Sequence, residues 1–408
     1  MICILIGSKA EQNRERSRRK HTTTTRIIKF PDRLWRHVWR SSPLNLDDRF
    51  LHGSASTSRV LILCLVSHVL AVHPGHARRL RLGTISVAGN SAAYEHWLRS
   101  PALDGLQVLG IHPGLPCLDL RTIPPLPLPP PLRLARTLRV LRVGSCVLPS
   151  TAAALRFPHL ETLSLCGVSV SEDALHGVPA GCLALGTLVL DECTGFAQVK
   201  ITSSTIRTLA VSVAHSMNPM PEVMMRRVTV ENGPRLEYLA PFRHRFSGES
   251  FELRVVSAPR LRFLGCISRT ISRLELGDTV FKVTSCHIDH VHQGKVISQE
   301  TRSEIRAVRL GATLQTVKSL ALEDVDRTDV VCNFLRCFPC LEKLYFSAGS
   351  CPDASVRRGF RSGGSYDKQN PIECLELHVR KIILNGYEGE KSDIRFASSL
   401  FVMHEYSS

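Results

Sequence analysis

The feature that most constrains this chain is a spacing of apolar residues that recurs at nearly constant intervals. Leu160-x-x-Leu163-x-Leu165 returns 25 residues on as Leu185-x-x-Leu188-x-Leu190, and Leu138-x-x-Leu141-x-Val143 precedes it by 22 residues. In the second half, Pro234-Arg235-Leu236-x-x-Leu239 is copied 25 residues later as Pro259-Arg260-Leu261-x-x-Leu264. Looser copies are Leu106-Val108-Leu109-Ile111, Ile206-Leu209-Val211, Ile271-Leu274-Leu276, Val317-Leu320-Leu322, Leu341-Leu344-Phe346 and Cys374-Leu375-Leu377-Val379. Strand side chains alternate with period two, so the last two apolar positions of each unit point the same way. One unit cannot bury them alone, whereas units stacked side by side share a continuous core.

The spacing therefore predicts an α/β solenoid of the leucine-rich-repeat kind. A curved parallel β-sheet lines its concave side, and helices or irregular turns form its convex side. Cys146 and Cys193 each follow the last strand position of a unit by three residues (Val143 and Leu190). A small side chain is needed there to meet backbone groups in the turn, which gives both cysteines a structural role. Ser171 before Glu172 and Asp173 reads as the N-cap of one convex helix, ended near Gly177 and Pro179. The run Val60 to Val72 is interrupted by Ser67 and His68. It falls short of the roughly 20 residues needed to span a bilayer, so it is expected to be a buried amphipathic helix and no membrane partner is expected. Pro124 to Pro131 (PPLPLPPP) must be extended, a stiff connector between the first repeats.

Composition narrows the partner classes. Hydrophobic residues make up 43% of 408, enough to fill a large core. The net charge is +16, but residues 1–40 hold eleven Lys or Arg against three acids, half of the excess. The charge is thus concentrated in an arm, with Arg14, Arg16, Arg18, Arg19 and Lys20 at its centre, and residues 1–30 read as disordered and basic. Fourteen cysteines scattered through the chain, with no N-x-Ser/Thr site and no secretory leader, predict reduced thiols and a cytoplasmic or nuclear location.

Phosphate-cradling, dinucleotide-binding, nucleophile-elbow and H-E-x-x-H motifs are all lacking. Three constellations have a bland explanation each. Cys337-Phe-Pro-Cys340 lies directly before a repeat strand with no second such pair to complete a zinc site. Cys286, His287, Asp289, His290 and His292 read as a strand running out into a polar loop, and Glu323, Asp324, Asp326 and Asp329 as a solvated turn. No catalytic residue, metal or cofactor is expected, and the chain is read as a non-enzyme.

RLWRHVWRSSPLNLDD (33–48) resembles the end of a plant F-box with its exit segment, through Trp35, Arg36, Trp39 and Pro43 to Asp47. HPGHARRLRL (73–82), LRFPHLETLSL (155–165) and APRLRFLG (258–265) are similar to the leucine-rich repeats of plant F-box proteins. RCFPCLEKLYF (336–346) and residues 370–402 are similar to the FBD module that closes many of them. The resemblance implies a Skp-type adaptor on the F-box, a cullin-type (SCF) ubiquitin ligase beyond it, and a target protein on the repeats. Residues 1–30 lack the Leu-Pro entry and helical stripe of an F-box. What is left is too small for the roughly 800 Å² per partner of a stable interface, so adaptor binding is in doubt.

The expected division is a basic arm (1–30), an F-box remnant (31–50), the repeat region (51–346), a linker (347–369) and an FBD-like module (370–408), with 317–346 as that module's first part. Three functions follow: substrate recognition for a ligase, a repeat scaffold without a ligase link, or nucleic-acid association through the basic arm. Nucleic acid is the least expected partner. Adaptor contact would fall to Trp35, Arg36, Trp39 and Pro43. Target contact would fall to Arg139, Arg142, Ser164, Val189, Ser319 and Lys343, which lie between the apolar positions of the strands and alternate outward.

Overall fold

A computed structural model describes residues 41–48, 59–83, 90–111, 126–127, 134–144, 146–148, 150, 156–212, 223–241, 251–268, 271–292, 295–309, 314–323, 328–347 and 372–385, with positions 394 and 398. The chain begins with β1 (Leu44–Asp47), α1 (Arg59–Val72), β2 (Ala77–Leu82), α2 (Ser91–Leu98), a 3-10 turn (Pro101–Leu103) and β3 (Val108–Ile111). Next come β4 (Leu126–Pro127), β5 (Val140–Gly144), β6 (Cys146–Leu148), β7 (Thr162–Cys166), β8 (Ser169–Val170), α3 (Glu172–Ala180) and β9 (Thr187–Asp191). The middle is strand-rich: β10 (Gln198–Thr202), β11 (Thr208–Val211), β12 (Arg227–Asn232), β13 (Tyr238–Pro241), β14 (Phe251–Val255), β15 (Phe263–Ser268) and β16 (Ile271–Leu276). It closes with β17 (Thr279–His292), β18 (Lys295–Arg309), β19 (Ser319–Glu323), α4 (Thr328–Leu335), β20 (Lys343–Ser347), α5 (Glu373–Leu377) and β21 (Lys381–Asn385).

Twelve strands form one sheet in the order β1-β2-β3-β5-β7-β9-β11-β13-β15-β19-β20-β21. Its pairings are parallel throughout. The repeat leucines stand in register: Leu141, Leu163, Leu188, Leu209, Leu239 and Leu264 form one buried ladder, and Leu320 and Leu344 continue it. Each such burial is worth ~1.5–3 kcal/mol, so the stack is held by the positions that recur in the sequence. Two helices pack into the same core between β1 and β3. Trp97 and Tyr94 of α2 pack with ring centroids 5.2 Å apart, and the buried Trp97 indole N–H donates to Ser67 Oγ of α1 at 2.8 Å. The run at 60–72 is thus the expected helix, burying Ile62, Val66, Val69 and Leu70.

The side opposite the open face changes character along the chain. The expected convex helix is α3, with Ser171 Oγ accepting from the Ala174 N–H at 3.4 Å. It runs on through Gly177 and Pro179 to Ala180, and ends one residue after the proline. Beyond it the return passes are strands, not helices: β10, β12, β14 and β16 pair in parallel, then β17 and β18 antiparallel. Val199/Ile201, Val228/Val230 and Leu253/Val255 supply the period-two pattern that favours strands there. Gly195 makes the turn into this second sheet at φ +92, where a Cβ would sit 2.7 Å from the Val170 carbonyl oxygen. A small third sheet, β4-β6-β8, uses Leu126–Pro127 as its edge strand, a position that tolerates proline.

Several expectations are corrected. Ile271-Leu274-Leu276 is β16 of the second sheet, and β15 pairs directly with β19 across the intervening hairpin. Cys374 to Leu377 lies in helix α5. The last repeat is instead Val379-x-x-Ile382-x-Leu384, whose strand β21 pairs with β20. The sheet overruns the expected repeat region 51–346 at both ends: β1 lies in the supposed F-box remnant and β21 in the FBD-like segment. His287, Asp289, His290 and His292 stand on the long strand β17 and not in a loop. Glu323 ends β19 and is buried, not part of a solvated turn; 324–327 lie outside the described residues.

Candidate functional site

The open face of the twelve-stranded sheet is built by the residues that alternate with the buried ladder, and strand register aligns them in rows. One row runs Asn45, Arg79, Val108, Val140, Thr162, Thr187, Thr208, Tyr238, Phe263, Ser319, Lys343 and Lys381. A second runs Asp47, Arg81, Gly110, Arg142, Ser164, Val189, Ala210 and Ala240, and resumes past β15 as Ala321, Tyr345 and Ile383.

Of the expected target-contact residues, Arg142, Ser164 and Val189 are direct neighbours in one row, and Ser319 and Lys343 are neighbours in the other. Arg142 and Lys343 are exposed, the other three half-buried. Arg139 belongs elsewhere. It precedes β5 on a rim where the peptide N–H of each repeat donates to the carbonyl of the one before, through Arg78, Gln107, Arg139, Glu161, Gly186, Arg207, Glu237, Arg262, Lys318, Glu342 and Arg380. Its guanidinium pairs with Glu161, with Nε 3.0 Å from Oε1. Lys318 and Glu342 pair likewise at 3.4 Å. The first pair is exposed and the second half-buried, and each is worth no more than ~1 kcal/mol. A cleft of about 410 Å³ lies on this rim between Gln107, Arg136, Arg139, His159 and Glu161. Trp35, Arg36 and Trp39 lie outside the described residues. Pro43 is exposed directly before β1, its carbonyl accepting from Asn45 Nδ2 at 3.2 Å.

Sequence reasoning missed the most distinctive part of the face. Tyr238 and Phe263 have ring centroids 6.1 Å apart, and Phe263 meets Tyr345 at 6.3 Å edge to face. These rings come from β13, β15 and β20, far apart in the chain. Small residues make room for them: Ala210, Ala240 and Ala321 floor the second row, and β15 carries a register shift after Leu264. A Cβ at Gly265 would come within 2.3 Å of the Phe263 ring, so that ring lies over the glycine. Tyr238 is 47% exposed. A signal existed in Leu236-x-Tyr-Leu239 and Leu261-x-Phe-Leu264, where an aromatic fills a slot held by Val or Thr in earlier repeats.

Between the Arg-rich end and the aromatic end stand Thr162, Thr187 and Thr208 in one row. At the other end of these strands, beyond Ser164 and Val189, the Asp191 carboxylate accepts from the Cys166 thiol at 3.3 Å and from the Ser212 hydroxyl. Burial, reinforced by Asp191, raises the Cys166 pKa. Burial alone pushes Cys146 up to about 12 and Cys337 to about 11. Cys193 is also pushed to about 12, chiefly by burial, with its Sγ 3.5 Å from the carbonyls of Leu165 and Asp191. Thiols held neutral in this way are poor nucleophiles, and the turn position accounts for Cys193. The face offers shape, cations and apolar rings, which are the means of binding a macromolecule.

The leucine-rich repeats of the FBD-associated F-box protein At5g56370 define a family that matches residues 94–346, well over half of the chain. No curated protein and no solved structure matches it.

Proposed function

Because the chain belongs to the leucine-rich-repeat family of the FBD-associated F-box protein At5g56370, we propose that it is a non-catalytic recognition subunit of the SCF type, working in the cytosol or nucleus. Its open face captures a protein and the segment before β1 links that protein to a Skp-type adaptor. The family match over residues 94–346, which hold β3 to β20 of the continuous twelve-stranded sheet, is the observation that carries this reading. The W-R-x-x-W and P-L-N-L-D resemblance supports the link, and Leu44–Asp47 within the sheet would join it stiffly to the capture surface. Holding target and ligase together would raise their effective concentration without new chemistry.

A second reading, a repeat scaffold without the ligase link, is favoured by the polar, Arg-rich residues 1–30. Retention of a purified Skp-type adaptor separates the two. The recognition-subunit reading expects the full chain to hold the adaptor and a Trp35→Ala/Trp39→Ala variant to lose it. If the full chain fails while a version carrying a complete F-box grafted before Arg33 succeeds, the scaffold reading replaces it.

A further inference from the structure

We propose that the partner segment seated on the open face is acidic and carries one aromatic or aliphatic anchor that docks on Tyr238, Phe263 and Tyr345. This rests on the reading of the open face as the capture surface and names the chemistry of what it captures.

Two observations combine. The three rings form a contiguous apolar patch over a floor of alanine and glycine, and such aromatic patches are where binding energy concentrates in protein interfaces. The charged side chains around that patch are mostly cationic. Arg207, Arg262 and Arg380 stand on the rim, Lys343 and Lys381 on the face, and all five are exposed. The rim acids beside them are Glu237 and Glu342, and Glu342 is held by Lys318. An acidic segment would be steered to such a surface and retained by it.

The face also sets a spacing. Arg142 on β5 and Tyr238 on β13 are separated by four strand steps, β5-β7-β9-β11-β13. At ~4.8 Å per step this is about 19 Å, or roughly six residues of extended chain. The intervening Thr162, Ser164, Thr187, Val189, Thr208 and Ala210 have short side chains that let a backbone lie across them. The segment therefore places its carboxylates about six residues from its anchor.

Single-stranded nucleic acid also combines anionic charge with flat apolar groups. The rings here pack against each other, tilted and edge to face, and are not splayed to receive bases. That ring packing favours a peptide side-chain anchor over stacked bases.

The test is selection of a displayed random peptide library on the full chain, with a labelled poly-uridine oligonucleotide as a parallel probe. The expected winners are rich in Asp and Glu with an aromatic or aliphatic residue about six positions from the acidic cluster. Synthetic winners should bind at least about tenfold more weakly to Tyr238→Ala, Phe263→Ala and Arg142→Glu. Tyr238 is largely exposed, so its variant stays informative even if Phe263→Ala misfolds, and thermal melts identify any variant that does. No enrichment, enrichment without acidic residues, winners indifferent to the three substitutions, or oligonucleotide capture lost on Tyr238→Ala would each overturn the proposal. Failure here with native-partner capture still abolished by Val189→Arg would reject the acidic-anchor chemistry and leave the capture surface in place.

Discussion

Individual side chains divide sharply between those that hold the stack and those that face outward. Leu188 is 1% exposed and sits in the ladder between Leu163 and Leu209. Leu188→Ala should cost about 2–5 kcal/mol, read from urea denaturation, while Thr187→Ala on the open face should stay within about 1 kcal/mol. Ser67→Ala removes the acceptor of the Trp97 indole and should cost about 1–3 kcal/mol, since a buried donor is left unmatched. The thiols give a pH signature. Cys146 and Cys193 rise from 9.0 to about 12 in the fold, so the native state keeps protons that the unfolded chain releases above about pH 9. Their contribution is complete below pH 9 and is lost as pH climbs toward 12, at up to about 1.4 kcal/mol per pH unit per thiol. Urea midpoints at pH 8, 9.5 and 10.5 should fall, and fall less steeply in a Cys146→Ala/Cys193→Ala variant. Parallel slopes would show that these thiols are not the cause.

At the scale of elements, the second sheet makes the clearest prediction. Thr229 is central in β12, paired to Lys200 of β10 and Arg254 of β14. Thr229→Pro removes a ladder donor there and should destabilise by about 3 kcal/mol or more. Glu172→Pro at the first position of α3 should be nearly neutral, because that N–H has no intrahelical partner to lose. Thermal melts of the two variants side by side decide it; equal losses would contradict the strand assignment on this side. The concave strands were legible in the sequence because each repeats one apolar spacing, with the same side chains buried every time. The returning strands were not, because Val199-x-Ile201 and Leu253-x-Val255 are short and sit at no fixed distance from the repeat. Ile271-Leu274-Leu276 shows the limit of spacing alone: it matches the repeat and buries all three residues, yet pairs in the other sheet. The aromatic patch was hidden for a related reason. Its rings come from three repeats, and only register brings Tyr238, Phe263 and Tyr345 together.

Across the whole molecule, the consequence of stacking is a single surface whose character grades from arginine-rich at β2 and β5, through small hydroxyl side chains at β7 to β11, to aromatic at β13 to β20. Several expected target-contact residues fell on this surface because alternation is a local rule, whereas Arg139 fell on the rim because it precedes the strand by one residue. No helix among the described residues is long and apolar enough to cross a membrane, and Ile62, Val66, Val69 and Leu70 of α1 are instead buried in the core. The central claim is that the open face is where a protein partner binds. It is tested most directly by quantitative affinity capture with three matched baits: the native chain, a Ser164→Arg/Val189→Arg variant that crowds adjacent mid-face positions, and a Lys200→Glu variant on the exposed side of the second sheet. The account predicts that partners retained by the native chain are retained by Lys200→Glu and lost by the mid-face variant, with all three baits melting cooperatively. Retention by the mid-face variant, with loss in Lys200→Glu, would place binding on the opposite side and contradict it.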